Sequence, residues 1–427
     1  MGLWKRRPTF YILAYGCLAY IMSYWLLPAI WKYSKENKLL SQSDFFVSKY
    51  KSPYLGVLVS VVGVIALIPY LVLQLKGLGI IVSEASYGTI SPSVAVWIGA
   101  ISVTVYVMIS GIHGSAWTAV IKDIMILGIV LFLGIYLPFH YYGGFQPMFE
   151  AIDQAKPGFV TLPDSGISVS WFVSTVLLTA LGFYMSPHTF GSIYSAQNAK
   201  VFRKNTIIMP LYQLVLLFVF FVGFAAILQV KGLEGPAGDL ALLRLSIQTF
   251  DPWLVGLIGA AGLLTAIVPG SMILMAAATL MAKNIYKVFV PKSTDQQVSR
   301  LAKNLVPVVA LAALFFTFQG GNTIVTLLLM GYSLVTQLFP ALVSSLFKNN
   351  IVTKYGAFAG ILAGVLTVAY ITINQTTIGV LFPSLPQSVK DLNVGVIALI
   401  INVVVTFGVS LATKSVAVKR DTTENIA

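Results

Sequence analysis

Eleven long apolar runs follow one another along the chain, and no segment between them is long enough to fold as a soluble domain. They fall at about 10–31, 54–83, 93–111, 119–141, 168–189, 206–229, 253–283, 303–319, 322–346, 355–374 and 393–412. Roughly 20 apolar residues in a helix cross the hydrocarbon core of a bilayer. Only helices or closed barrels satisfy every backbone polar group there. Of the 427 residues, 57% are hydrophobic and 10% charged, which no soluble domain of this size could present to water. The chain therefore reads as an all-α polytopic membrane protein with about eleven transmembrane helices. Runs longer than 20 residues imply tilted or broken helices.

The net charge is +13, but the basic residues sit in short loops between apolar runs. Lys32, Lys35, Lys38, Lys49 and Lys51 follow the first run; Lys283, Lys287, Lys292, Arg300 and Lys303 follow the seventh. That distribution is an orientation signal and makes this side cytoplasmic, together with the C-terminus. No nucleic-acid partner is expected; the surroundings are membrane lipids. An odd number of spans puts the N-terminus on the other side, where Lys5, Arg6 and Arg7 conflict with the rule. Cys17 is the one cysteine, so neither a disulfide framework nor a cysteine metal cluster is available. Three scattered histidines supply no nucleophile–base pair and no metal cluster, so the chain is not an enzyme and needs no cofactor.

The stretch from Ser170 to Met209 changes character midway. Gly182, Pro187 and Gly191 weaken a helix, glycine by backbone freedom and proline by its missing donor. His188 follows the proline, and a polar loop with Lys200, Arg203 and Lys204 comes next. A helix that breaks beside polar groups is where membrane proteins build small-molecule and ion sites; the plainer reading is a helix that ends in a loop. Gly356, Gly360 and Gly364 repeat at four-residue spacing, a stripe that lets helices approach closely.

Several strings together resemble the sodium:solute symporter family. They are GFYMSPHTFGSIYSAQNAKVFRKN at 182–205, GIHGSAWTAVIKD at 111–123, LLTAIVPGSMILMAAATLMAKNIY at 263–286 and SQSDFFVSKYKS at 41–52. Within the family, the Val-Pro-Gly-Ser variant at 268–271 and IPYLVLQLKGLG at 68–79 are most similar to the monocarboxylate permease branch. The resemblance implies a LeuT-type core of two inverted repeats in the bacterial plasma membrane. Aligned on the motifs, residues 10–141 form a first repeat lacking its first helix, 168–346 the second repeat, and 355–412 two extra helices. The chain then reads as N-terminally shortened, which would also explain the position of Lys5, Arg6 and Arg7. The implied activity is secondary transport of a small organic anion, such as a monocarboxylate, coupled to a cation. The competing expectation is a shortened, transport-inactive member serving as a binding or regulatory subunit.

Candidate substrate residues are Tyr70, Gln74, Lys76, Thr179, Gly182, Tyr184 and Gln337. Tyr70 and Gln74 share a helix face. Lys76 is a charge within an apolar run, placed to meet a carboxylate, to snorkel, or to bond a neighbouring helix. Glycine at 182 exposes backbone groups, and Tyr184 either donates to a carboxylate or packs. Gln337 and Tyr332 either polarise a cavity or hydrogen-bond within the bundle. Pro187 and His188 read as a gating turn. The family places two adjacent hydroxyls for sodium on the seventh span; read from Ala266, those positions hold Pro269 and Gly270. A shifted sodium site would draw on Thr265, Ala266 and Ser271, with the Thr265 carbonyl freed by Pro269.

Overall fold

The computed structural model describes residues 10–319 and 323–424. Among the described residues there are helices and turns and no strand. In chain order the helices are α1 (Tyr11–Glu36), α2 (Gln42–Tyr50), α3 (Pro53–Ala85), α4 (Pro92–Tyr142), α5 (Phe145–Ala155), α6 (Val169–Gly182) and α7 (Pro187–Ser195). They continue as α8 (Ala199–Gln213), α9 (Val215–Gln229), α10 (Ala241–Thr249), α11 (Pro252–Thr279), α12 (Lys287–Phe289) and α13 (Asp295–Gln319). The last are α14 (Ile324–Val335), α15 (Phe339–Leu346), α16 (Lys354–Ile373), α17 (Ile378–Leu381), α18 (Gln387–Lys390) and α19 (Val394–Glu424). Ten helices among the described residues are long and apolar enough to cross a membrane. The bent pair Val169–Met185 and Pro187–Ser195 makes an eleventh span. These coincide with the eleven runs of the sequence. Lys5, Arg6 and Arg7, and the side chains of 110–116 in the Gly-Ile-His-Gly string, lie outside what is described.

Capping follows the local sequence. Ser41 accepts from the Asp44 amide while the Asp44 carboxylate accepts from the Ser41 amide, a reciprocal box that starts α2. Ser52 caps α3 with Pro53 in its first turn, and Thr323 and Thr353 cap α14 and α16. Helix α4 carries the third and fourth runs without a loop between them. The Tyr106 hydroxyl nevertheless donates to Thr118 Oγ1 at 2.8 Å. A straight helix would hold positions twelve apart about 18 Å distant, so α4 bends between its two spans.

Three apolar cores hold the bundle. One joins α1, α2, α6, α7, α14 and α15 around Phe45, Phe46, Phe190 and Leu338. A second joins α3, α4, α11 and α13 around Leu71, Leu75, Ile273 and Ala277. A third packs α5, α9 and α10 on the second half of α4. The glycine stripe lies against α19. A Cβ at Gly360 would overlap Thr406 Oγ1 and sit 2.8 Å from the Asn402 carbonyl; one at Gly356 would overlap Ser410. In lipid, where no hydrophobic effect draws helices together, such contact is the means of association.

Two helices break at the same level. Between α6 and α7 the chain passes through a 3₁₀ turn, Phe183–Met185, and bends by 55°. Between α14 and α15 a second 3₁₀ turn, Thr336–Leu338, precedes Pro340. The breaks touch: Thr336 Oγ1 donates to the Leu178 carbonyl at 3.1 Å, and a Cβ at Gly182 would overlap Thr336 Oγ1.

Candidate functional site

Around the two breaks an aromatic and polar cluster forms inside the bundle. The Tyr15 and Tyr332 rings meet edge to face with their centroids 5.8 Å apart. Tyr70 lies within electrostatic reach of both, and its ring meets the His188 ring edge-on at 5.5 Å. Tyr11 stacks obliquely on Tyr15 at 5.8 Å, and Phe183 closes on Tyr15 at 6.1 Å. Two polar atoms here, Tyr11 Oη and His188 Nδ1, are buried with no protein partner. Burying a polar group without a partner costs free energy, so donors and acceptors at this point are available to a guest.

The residues singled out from sequence do not all converge. Tyr70 and His188 belong to the cluster, with Pro187 at its base against α3: a Cβ at Gly63 would lie 2.7 Å from Pro187 Cγ. Gln74 is buried one turn further along α3, and a Cβ at Gly270 of α11 would touch its side chain at 3.6 Å. Thr179 is fully buried and donates to the Thr175 carbonyl of its own helix at 2.6 Å. Gly182 serves close approach of the breaks and not exposure of its backbone. Tyr184 faces Ser23 and Tyr20 of α1. Gln337 is engaged elsewhere: its amide donates to the Ser333 and Gly395 carbonyls and accepts from Asn402 at 3.2 Å. It ties α19 to the second break.

Lys76 is paired with Asp239 at 2.8 Å, and the same carboxylate accepts from the Ile324 amide at the start of α14. The lysine thus bonds a neighbouring segment, one of the readings open from sequence, and this ion pair closes the bundle at the end away from α2. In the seventh span, Thr265 is exposed and Ser271 fully buried. Six helical residues subtend about 600°, so the two hydroxyls point to different faces; each donates to its own helix, at 2.7 and 2.6 Å. Ala266 is buried between them. What α11 offers a cation is the Thr265 carbonyl opposite Pro269 and the lone pairs of Ser271 Oγ.

Sequence reasoning passed over the opposite closure. Asp44 of α2 accepts from Lys283 Nζ at 2.6 Å, from Asn284 Nδ2 at 2.8 Å, and from the Leu40 and Ser41 amides at 3.0 Å. Burial alone would raise this carboxyl. The Lys283 ammonium and the Asn284 amide outweigh it and hold it below the usual carboxylate range. The signal was present: Ser41 and Asp44 spell a capping box, and lysine and asparagine adjoin in the Lys-Asn-Ile-Tyr string.

Broken helices meeting at a buried polar cluster, with an ion-pair closure at each end, define a membrane transporter. The profile of the sodium:solute symporter family matches residues 10–364. An uncharacterized symporter of Bacillus subtilis, YhjB, is 73% identical over 96% of this chain and 84% of its own length. A monocarboxylate transport permease of Rhizobium johnstonii is 29% identical over 80% of this chain and 69% of its own length. A sodium/proline symporter of Escherichia coli is 25% identical over 78% and 67%. Among solved structures, a substrate-bound, outward-open Na+-coupled sialic acid symporter superimposes with a TM-score of 0.68. It shares 17% identity and is matched over 95% of this chain and 86% of that one. The chain belongs to the sodium:solute symporter family, and it is a multi-pass membrane transport protein rather than an enzyme. The LeuT-type fold expected from the sequence is the fold observed.

Proposed function

We propose that this chain carries a small organic monocarboxylate across the bacterial plasma membrane in symport with sodium, with its α2 end and its C-terminus in the cytoplasm. The observation that carries this reading is the meeting of Tyr15, Tyr70, Tyr332 and His188 at the break between α6 and α7. Phenolic hydroxyls are donors for a carboxylate, and the surrounding rings exclude water and limit size. Helix α7 begins at Pro187, and the positive end of its dipole favours an anion at the break. Two relatives support a carboxylate guest: the Rhizobium permease takes monocarboxylates, and proline likewise bears one carboxylate. Residues 10–141 would supply the helices of the first repeat, 168–346 the second repeat, and 355–412 a pair that buttresses the second break.

Sodium is a hard ion and takes oxygen ligands. The Thr265 carbonyl and Ser271 Oγ would be the contribution of α11. The test is uptake of labelled pyruvate, lactate, acetate and proline into proteoliposomes under an inward sodium gradient. Replacing sodium with choline should abolish accumulation of the favoured acid. Equal uptake in choline would remove sodium coupling, and uptake of none of the four would remove the substrate class.

A further inference from the structure

Helix α2 is only nine residues long and too short and polar to span a bilayer, yet it is one of the most tightly held segments. Gln42, Ser43, Phe45, Phe46 and Tyr50 are all buried. Three of its polar side chains reach three different elements. Gln42 Nε2 donates to the Met185 carbonyl, which the break after α6 leaves without a helical donor, at 2.6 Å. Ser43 Oγ donates to the Gly56 carbonyl at 2.6 Å, and the Tyr50 hydroxyl to the Ala341 carbonyl of α15 at 2.6 Å. Tyr194 of α7 donates back to the Ser41 carbonyl at 3.1 Å. The short helix is thus wedged among α7, α11 and α15 and closes the bundle below both breaks.

Among the described residues, the ion pair in this wedge is made by Asp44. Its carboxylate stands between the cap of α2 and a π-helical turn, Leu280–Tyr286, that extends α11. A π turn is a strained insertion found chiefly where a helix must adapt. Here it sets Lys283 and Asn284 side by side so that both reach Asp44. Asn284 is buried, and its Oδ1 has no protein partner, so the amide is aligned by Asp44 alone. The side chains of Asp44 and Lys283 keep 18% and 28% of their exposure, enough for water to replace the bond once the segments part.

We propose that the Asp44–Lys283–Asn284 clamp is the latch of the α2-side gate, and that its release frees α2 from α11 and opens the breaks to that face. This rests on reading the chain as an alternating-access transporter. Lys76 and Asp239, bridged to the start of α14, form the counterpart at the other end. Weakening either latch shifts the molecule toward opening on its own side, since two states of similar energy respond to the loss of a contact made in only one of them.

The test reads accessibility, so it does not depend on the substrate. In a Cys17→Ser background, Ser345→Cys places a thiol at a buried position of α15, one turn beyond Ala341, whose carbonyl Tyr50 of α2 holds. Its labelling by a membrane-impermeant maleimide is followed in vesicles exposing the α2 face. Asp44→Asn should accelerate labelling by roughly tenfold, the scale of one lost charge-assisted hydrogen bond. Lys283→Met should do the same while leaving the α2 cap intact, so it decides the matter if Asp44→Asn does not fold. Lys76→Met should slow labelling. Unchanged labelling in a folded Lys283→Met protein, judged by gel filtration and melting, would overturn the latch even if transport proved real. Failure of pyruvate uptake in the unmodified chain would count against the substrate and leave the latch standing.

Discussion

Gly182→Ala should destabilise the protein through one contact between the two helix breaks. A Cβ at 182 would overlap Thr336 Oγ1 and lie 3.2 Å from Tyr332 Cδ1. Thr336 cannot yield freely, because that oxygen donates to the Tyr332 carbonyl at 2.7 Å and across the interface to Leu178 at 3.1 Å. Overpacking of this kind costs about 1–3 kcal/mol, and an interhelical hydrogen bond in a membrane protein contributes about 0.6 kcal/mol. The expected loss is therefore about 2–4 kcal/mol. Thr336→Ala alone should cost about 1 kcal/mol, since only the hydroxyl's bonds are lost. The double variant should recover much of the overpacking, giving a coupling of about 1–2 kcal/mol between the positions. Equilibrium unfolding in detergent mixtures, followed by tryptophan fluorescence, measures all four proteins of the cycle. Additive losses would show that the breaks do not press on one another at this point, and the geometry argued for the site would be wrong.

Three further outcomes follow from the same structure. Gly360→Val should detach α19 from α16, because the added atoms fall on Thr406 and Asn402; protease cleavage between 375 and 393 should then rise sharply, and an unchanged digest would contradict the packing. Gln337→Leu should lower stability by about 1–3 kcal/mol, leaving Asn402 Nδ2 and the Gly395 carbonyl short of a partner, while the substrate affinity of the folded fraction stays unchanged. The Asp44 clamp should also be acid-labile. Its folded pKa lies below the unfolded one, so its contribution is complete above the ordinary aspartate range near about pH 4 and is lost as pH falls through the depressed value. Lys283→Met should flatten that limb of the stability–pH curve, and a curve of unchanged slope would assign the acid sensitivity elsewhere.

The helices were legible because each apolar run must span the same thickness of hydrocarbon, and eleven runs became eleven spans. The break at Gly182–Pro187 was legible for a similar reason: proline cannot donate, and the chain bends 55° there. The second break at Thr336–Leu338 was not foreseen. Its strongest marker, Pro340, falls in the first turn of α15, where proline is tolerated and does not by itself announce an interruption. The site was half legible. Tyr70 and His188, singled out separately as a substrate residue and part of a gating turn, meet ring to ring, but Tyr11 and Tyr15 lie 55 or more residues away in α1, and no local spacing joins them to α3. Lys76 and Gln337 were conspicuous as polar residues in apolar runs, yet sequence does not say which partner a buried polar group has found. Asp239 and Asn402 answer that only in three dimensions.

The most direct measurement is binding of labelled pyruvate to the purified protein in sodium, with Tyr70→Phe beside it. The account predicts saturable, sodium-dependent binding that the loss of one phenolic hydroxyl weakens by roughly tenfold or more, the effect of a hydrogen bond to a charged group, with the melting temperature unchanged. Binding of equal affinity in Tyr70→Phe would contradict the claim that the tyrosine cluster at the helix break receives the carboxylate.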